Sequence, residues 1–214
     1  MCISVHQLCY VHADKEPLFQ NINLTVNTGQ RLALVGNNGT GKSTLLRIIE
    51  GNLKPSSGEV VCSSRPYYIP QHFGQFDNLT VAEALRVDDR IKALHAILEG
   101  DASAENFTCL NDDWDVEERC LSALASWNLE HLQLSQPMCS LNGGEKIRLL
   151  FCCLMIGNNA PDVFILDEPT NNLDIQSVEI ITAAIKSYSG TVLLISHDRY
   201  FVKEIKINRS VELF

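Results

Sequence analysis

Long apolar runs are missing from this chain of 214 residues. No stretch reaches 18 consecutive apolar positions, so no membrane-spanning helix and no direct membrane insertion are expected. The opening Met1-Cys2-Ile3-Ser4-Val5-His6 lacks the basic region and apolar core of a secretory signal. None of the eight cysteines (Cys2, Cys9, Cys62, Cys109, Cys120, Cys139, Cys152, Cys153) stands in C-x-x-C spacing, so they read as reduced thiols of a cytoplasmic protein rather than metal ligands or disulfides. Positive charge is scarce as well. Seventeen Lys and Arg against 26 Asp and Glu leave a net charge of −9, which argues against broad nucleic-acid affinity through phosphate neutralisation. Part of the acidic excess is local, in Asp112, Asp113, Asp115, Glu117 and Glu118, and reads as a solvated loop and helix start. Apolar content of 45% and charged content of 20% are those of a globular chain long enough for a substantial core.

What is present is organised around Gly36-Asn37-Asn38-Gly39-Thr40-Gly41-Lys42-Ser43-Thr44, a G-x-x-x-x-G-K-S pattern. Arg31-Leu32-Ala33-Leu34-Val35 before it suits a buried strand. After it, Leu45, Leu46, Ile48 and Ile49 recur at helical spacing, with Gly51 placed to end the helix. Strand, glycine loop and helix together make this a phosphate-binding unit. Successive backbone N–H groups curl around phosphates, and the helix N-terminus adds partial positive charge. Lys42 reaches the β and γ phosphates, and the Ser43 hydroxyl ligates Mg²⁺.

The flanking chain supplies further candidates. Residues 3–10 and 22–28 read as strands, with a turn over Ala13-Asp14-Lys15-Glu16-Pro17 between them. Tyr10, at the end of the first, is either a ring that stacks on a nucleotide base or a core tyrosine. Glu59–Cys62 and Tyr67–Ile69 are short strands, the second followed by Gln71. A capping box at Thr80-Val81-Ala82-Glu83 opens a helix to about Leu98; a loop over 100–113 and a helix over 114–131, marked by Trp114, Leu121, Leu124 and Trp127, follow. Leu141-Asn142-Gly143-Gly144-Glu145 leads into a helix bearing Ile147, Leu150, Phe151 and Leu154 on one face; its glycines mark an anion site or an ordinary helix entry. Val163–Leu166 is a fully apolar strand ending in Asp167 and Glu168. Such strands belong in the centre of parallel sheets, where ligands sit at the carboxyl ends. That aims Asp167 at Mg²⁺ and Glu168 at an attacking water. Thr191–Ser196 is another buried strand, ending at His197, and the tail over 198–214 carries a modest basic cluster of Arg199, Lys203, Lys206 and Arg209.

In this order the motifs resemble those of the ATP-binding cassette (ABC) ATPases over nearly the whole chain. Gly36–Thr44 is similar to Walker A, Gln71 to the Q-loop, and Leu141–Glu145 to the LSGGE signature, with Asn142 in place of Ser. Phe164–Thr170 resembles Walker B, Asn172-Leu173-Asp174 the D-loop, and His197 the switch histidine. Within the superfamily, Asp167–Asp174 and Ser196–Phe201 look most like the ABC-F branch, whose members carry two tandem cassettes and commonly act on ribosomes. The resemblance implies a P-loop NTPase α/β fold: a RecA-like core with a mostly parallel sheet, an N-terminal antiparallel β part and an inserted α-helical subdomain. The chain is then a single domain, 1–214, with its core at 1–72 and 134–214 and the helical subdomain over about 73–133. It further implies ATP hydrolysis with Ser43, Gln71 and Asp167 around Mg²⁺, Glu168 as base, and His197 and Gln71 sensing the γ-phosphate. A second cassette, closing head to tail, would add its signature and D-loop, so that Asn142, Gly143, Gly144 and Asp174 serve the partner's nucleotide. The alternatives are an ATP-binding subunit for a transmembrane transporter partner and a non-hydrolysing scaffold, the latter disfavoured by Glu168.

Overall fold

The computed structural model describes residues 2–12, 15–153, 156, 161–171 and 173–213. The chain divides into two compact units, one of Met1–Gln71, Pro161–Asn172 and Thr182–Phe214, the other of His72–Ala160 and Leu173–Ile181. Sequence patterning placed the helical boundary near 133; in the structure the segment through 160 groups with the helical unit.

The first unit holds two sheets. β1 (Ile3–Val11), β2 (Pro17–Val26) and β4 (Ser57–Cys62) form an antiparallel sheet in the order β2-β1-β4. β3 (Arg31–Val35), β5 (Tyr67–Ile69), β6 (Val163–Asp167), β7 (Thr191–Ile195) and β8 (Arg209–Glu212) form a parallel sheet in the order β5-β6-β7-β3-β8. Every residue of β6 and β7 is buried, which is why both read as unbroken apolar runs rather than alternating ones. β1 carries an irregularity between Val5 and Leu8, where Gln7 has φ 47°. Opposite it, a Cβ on Gly58 would lie 2.4 Å from the Gln7 carbonyl oxygen, so only glycine lets β4 pass the bulge.

α1 (Lys42–Glu50) follows β3 through the glycine loop. Leu45, Leu46, Ile48 and Ile49 bury one face, and Gly51 ends the helix at φ 95°, its N–H donating to the carbonyls of Arg47 and Ile48. The tail, read from sequence as a basic cluster, instead supplies α8 (Arg199–Glu204) and β8, which pairs with β3 from Leu32↔Arg209 to Val35↔Glu212. Arg31, at the entry to β3, donates from its guanidinium to the carbonyls of Ile205 (2.6 Å), Tyr188 (2.8 Å) and Lys186 (3.1 Å). It thereby caps the C-terminal ends of α7 (Ile175–Ser187) and α8, where a cation also meets the favourable end of the helix dipole.

The second unit differs from the sequence reading in its boundaries. The helix expected from Thr80 to Leu98 is two helices, α2 (Val81–Ala84) and α3 (Asp88–Leu98), with Arg86 between them at φ 60°. Leu85 and Val87 are both buried, at 3% and 1% exposure. The left-handed step at Arg86 interrupts the helical dihedrals between them. The capping box itself forms: Glu83 N–H donates to Thr80 Oγ1 (3.2 Å) and Thr80 N–H to Glu83 Oε2 (2.7 Å). The expected loop over 100–113 contains α4 (Ala104–Leu110), anchored by fully buried Leu110 and closed by Asn111 in the left-handed region. α5 (Val116–Ser126) is shorter than expected. Leu124 and Trp127 are buried, whereas Trp114 and Leu121 are 45% and 49% exposed. α6 (Gly143–Cys152) packs on α5, and Trp127 stacks on Phe151 with ring centroids 6.0 Å apart. Leu154 lies outside the described residues, as do Ala13 and Asp14 of the expected first turn.

Removing the guanidinium that caps three carbonyls tests whether the last helices are tied to the sheet through Arg31. Arg31→Ala is expected to lower unfolding free energy by about 2–3 kcal/mol, the usual scale for charged hydrogen bonds. Lysine lacks the planar fork whose two terminal nitrogens reach these carbonyls, so Arg31→Lys should recover less than half of that in urea denaturation.

Candidate functional site

The order of the parallel sheet decides where the candidate residues meet. In β5-β6-β7-β3, four neighbouring carboxyl ends carry Gln71, then Asp167 and Glu168, then His197, then the glycine loop. They converge on a cavity of about 530 Å³ lined by Asn38, Gly39, Gly41, Lys42, Ser43, Thr44, Gln71, Asp167, Glu168 and His197, together with His12, Leu18, Asn171 and Ile195.

The loop is shaped by its own backbone. Gly36 has φ 144°, and a Cβ there would lie 2.4 Å from the Leu213 carbonyl oxygen, so β8 and the loop can approach only over glycine. Gly41 starts α1 from φ 87°. The carbonyls of Gly36 and Asn37 accept from Lys42 Nζ at 2.9 and 2.7 Å, and Thr40 Oγ1 donates to the Asn37 carbonyl at 3.0 Å. Gly36, Asn37 and Thr40 thus brace the loop rather than line the cavity. Lys42 is only 8% exposed, with Nζ held against the loop carbonyls.

Asp167 is 3% exposed, and both of its oxygens are engaged. Ser43 Oγ donates to Oδ1 at 3.1 Å and Tyr68 OH donates to Oδ2 at 3.0 Å. Burial, reinforced by the charge of Asp167, pushes the Tyr68 phenol well above its usual range, so it remains a donor. Glu168 takes a left-handed conformation at φ 49°, sparsely populated for any non-glycine residue. Its N–H donates to the Ile195 carbonyl at 2.9 Å, which binds the turn after β6 to the end of β7. The carboxylate is 8% exposed; Oε2 accepts from the His197 backbone N–H at 3.3 Å, and Oε1 lies 3.3 Å from His197 Nε2. The imidazole itself is 63% exposed, so the pair joins a buried carboxylate to a ring open to solvent.

Tyr10 does not line the cavity. It is half-buried against the core, with its ring 6.1 Å from Phe19 and 5.6 Å from His12, while His12, one step beyond the end of β1, reaches the cavity. The register that pairs Tyr10 with Phe19 turns the tyrosine toward the core, and no local signal in the sequence marks that register. His12, Leu18, Asn171 and Ile195 are lining residues the sequence reading missed; Leu18 stands beside Phe19 under Gly41.

Asn142, Gly143, Gly144 and Asp174 belong to the second unit and are not among the lining residues. Asn142 caps α6: its Oδ1 accepts from Glu145 N–H at 2.9 Å, and Glu145 Oε2 accepts from Asn142 N–H at 2.9 Å. Since Oδ1 is the acceptor, the side-chain NH₂ is left as the outward-facing donor. Asp174 caps the start of α7 by accepting from Ser177 N–H at 2.8 Å. Hydrogen bonds from the Ser177 side chain, then from its backbone, hold the Asp174 carboxyl below its usual value of 3.8. Asn172 of the expected D-loop lies outside the described residues.

Residues 19–171 match the model of the ABC transporter family. ABC transporter F family member 2 of Arabidopsis thaliana is 36% identical over 211 residues, covering 99% of this chain and 28% of that protein. The probable ATP-binding protein YbiT of Escherichia coli O157:H7 is 36% identical over 196 residues, covering 90% of this chain and 32% of that protein. The chain therefore spans about a third or less of the length of these relatives. Among solved structures, an ATP binding subunit of an ABC transporter superposes with a TM-score of 0.72 at 23% identity, covering 100% of this chain and 86% of that one. A nucleotide-free ATP-binding cassette from an ABC transporter gives 0.68 at 20% identity, covering 100% and 87%. At these identities the structural likeness speaks for the fold.

Both caps can be tested by equilibrium unfolding. Asn142→Ala should cost about 1 kcal/mol, whereas Asn142→Ser, another good cap, should stay within about 0.3 kcal/mol of the parent. Because the folded-state carboxyl of Asp174 titrates below 3.8, its stabilisation is present above that pH and is lost as pH falls through the folded value. The stability difference between parent and Asp174→Asn is therefore expected to be constant from pH 5 to 8 and to shrink on acidification below 3.8.

Proposed function

The chain belongs to the ABC transporter family, and on that premise we propose that it forms one half of an ATP-hydrolysing switch, closed by a second cassette and most like the F branch of the family. The observation that carries this reading is the convergence of the glycine loop, Gln71, Asp167, Glu168 and His197 on one cavity. Its volume of about 530 Å³ falls in the range of small-molecule sites.

In this reading the β and γ phosphates of ATP lie against the backbone N–H groups of Asn38, Gly39, Gly41 and Lys42 and the N-terminus of α1. Lys42 turns from the loop carbonyls to the phosphates, where its charge opposes the negative charge of the transferring group. His12 supplies a ring at the cavity, with the Tyr10 ring packed edge-on beside it. Ser43 Oγ and Asp167 Oδ1, both hard oxygen donors 3.1 Å apart, fit Mg²⁺. Among the described residues no group of three or more His, Cys, Asp or Glu side chains could hold a metal alone, so the cation needs substrate phosphates to complete its coordination. When bound there, the ion would neutralise charge on the β and γ oxygens. Glu168, buried and held at its backbone by Ile195 and at its carboxylate by His197, accepts a proton from the attacking water. Gln71 faces the same space from the neighbouring strand end and reads whether the γ-phosphate is present.

The signature glycines and the outward amide of Asn142 serve the nucleotide of the opposite cassette, in a head-to-tail pair. An isolated chain would bind ATP and turn it over slowly, since each complete site draws on two cassettes. The proposed partner of the switch, following the F-branch resemblance, is the ribosome in the cytoplasm. The alternative is a transmembrane transporter subunit; among the described residues no helix is long and apolar enough to cross a membrane.

Glu168→Gln should lower the hydrolysis rate by about 10²–10⁴-fold, the usual contribution of a general base, while nucleotide affinity changes by less than about threefold. With Mg·ATP this variant should elute as a two-cassette particle on gel filtration and co-sediment with ribosomes. A species that stays a lone cassette at saturating ATP would count against the sandwich. Partition into membrane vesicles rather than ribosome pellets would move the assignment to the transporter reading.

A further inference from the structure

We propose that Tyr68 is a positioning residue that sets the cation affinity of the site by fixing the orientation of Asp167. The inference rests on the assignment of Ser43 and Asp167 to Mg²⁺ under Proposed function and extends it to a residue that cannot touch the ion.

Tyr68 is the middle residue of β5, in parallel register with Ile165 of β6. Its ring is part of the apolar core, and the residue is 7% exposed. The phenol is therefore held rigidly by packing, and its O–H meets Asp167 Oδ2 at 3.0 Å. The opposite oxygen, Oδ1, accepts from Ser43 Oγ at 3.1 Å, and Ser43 and Asp167 both line the cavity. A carboxylate on a short side chain keeps one torsion that exchanges its two oxygens, and a donor anchored on Oδ2 blocks that exchange.

The need for such an anchor follows from the other partner. The Ser43 hydroxyl now donates its proton to Oδ1. A hydroxyl that ligates a cation offers its lone pair to the ion, so whichever way its proton then points, the Ser43 contact is remade on binding. The Tyr68 bond is on the far oxygen and can persist unchanged. Ligand carboxylates held this way by outer hydrogen-bond donors commonly lose 10–100-fold in metal affinity when the donor is removed. The residue lies outside the glycine loop and the strand-end carboxylates, and its sequence neighbours, Tyr67 and Ile69, are buried as well, so only the strand register singles it out.

The test measures Mn²⁺ binding by electron paramagnetic resonance in the presence of a non-hydrolysable ATP analogue, because the phosphates complete the coordination. Tyr68→Phe keeps the ring and removes the donor; it should weaken Mn²⁺ binding by about 10–100-fold. The Mg²⁺ concentration for half-maximal hydrolysis should rise in parallel. Binding of a fluorescent ATP analogue in EDTA should match the parent. Tyr68→p-aminophenylalanine restores a donor at the same position and should return Mn²⁺ affinity to within about threefold of the parent. Unchanged Mn²⁺ affinity in Tyr68→Phe, or no recovery in the p-amino variant, overturns the proposal. So does a Tyr68→Phe protein that no longer binds nucleotide in EDTA, which would make the residue structural. Asp167→Asn separates the underlying reading. If it leaves the parent's Mn²⁺ signal intact, the cation site assigned under Proposed function is wrong; if it abolishes the signal while Tyr68→Phe does not, only the positioning role fails.

Discussion

Burial of β6 and β7 on both faces is the constraint on which the rest of the first unit depends. Neither strand has an exposed residue, so each must be hydrogen-bonded on both edges and covered above and below. That leaves one place for polar chemistry, the carboxyl ends, where the backbone leaves the sheet. Asp167 and Glu168 end β6 there, and His197 follows β7 within two residues. The glycine loop leaves β3 beside them because β3 pairs with β7.

The two carboxylates occupy adjacent positions yet are held by different means. Asp167 is still within the strand, so its side chain stands between β5 and α1 and takes donors from Tyr68 and Ser43. Glu168 is the first residue beyond the strand, at a positive φ that turns its carboxylate toward His197. One buried acid becomes a fixed oxygen donor and the other an acceptor next to a solvent-exposed ring. This is division of labour by backbone geometry, since burial and charge alone would treat the pair alike.

Much of the site was legible because its signals are local. The turn from Val35 to Lys42 needs glycines at particular steps, the helix after it needs Leu45, Leu46, Ile48 and Ile49 on one side, and both requirements are written within twenty residues. The capping box at Thr80 was equally local, and its hydrogen bonds form as the spacing implies, whereas the matching box at Asn142 was read only as a glycine helix entry. Elements stabilised by distant packing were not legible. The split between α2 and α3 falls at Arg86 in the left-handed region, with Leu85 and Val87 buried on either side of it, α4 hangs on Leu110, and β8 exists because β3 offers a free edge to the chain's tail.

The sequence by itself determined the chemistry: a phosphate-cradling loop, a pair of acids after an apolar strand, a histidine after another, and a glycine-rich helix start, all motifs whose parts lie close together along the chain. Only the tertiary structure decided which of these share a cavity. It placed His12 at the cavity in place of Tyr10, put Tyr68 on the far oxygen of Asp167, and assigned Asn142 and Asp174 to a unit other than that of the glycine loop. The physical reason is that strand order and register are set by the pairing of whole segments, some as distant as β3 and β7, whose energy comes from burial of whole faces and leaves no mark on any short stretch of sequence.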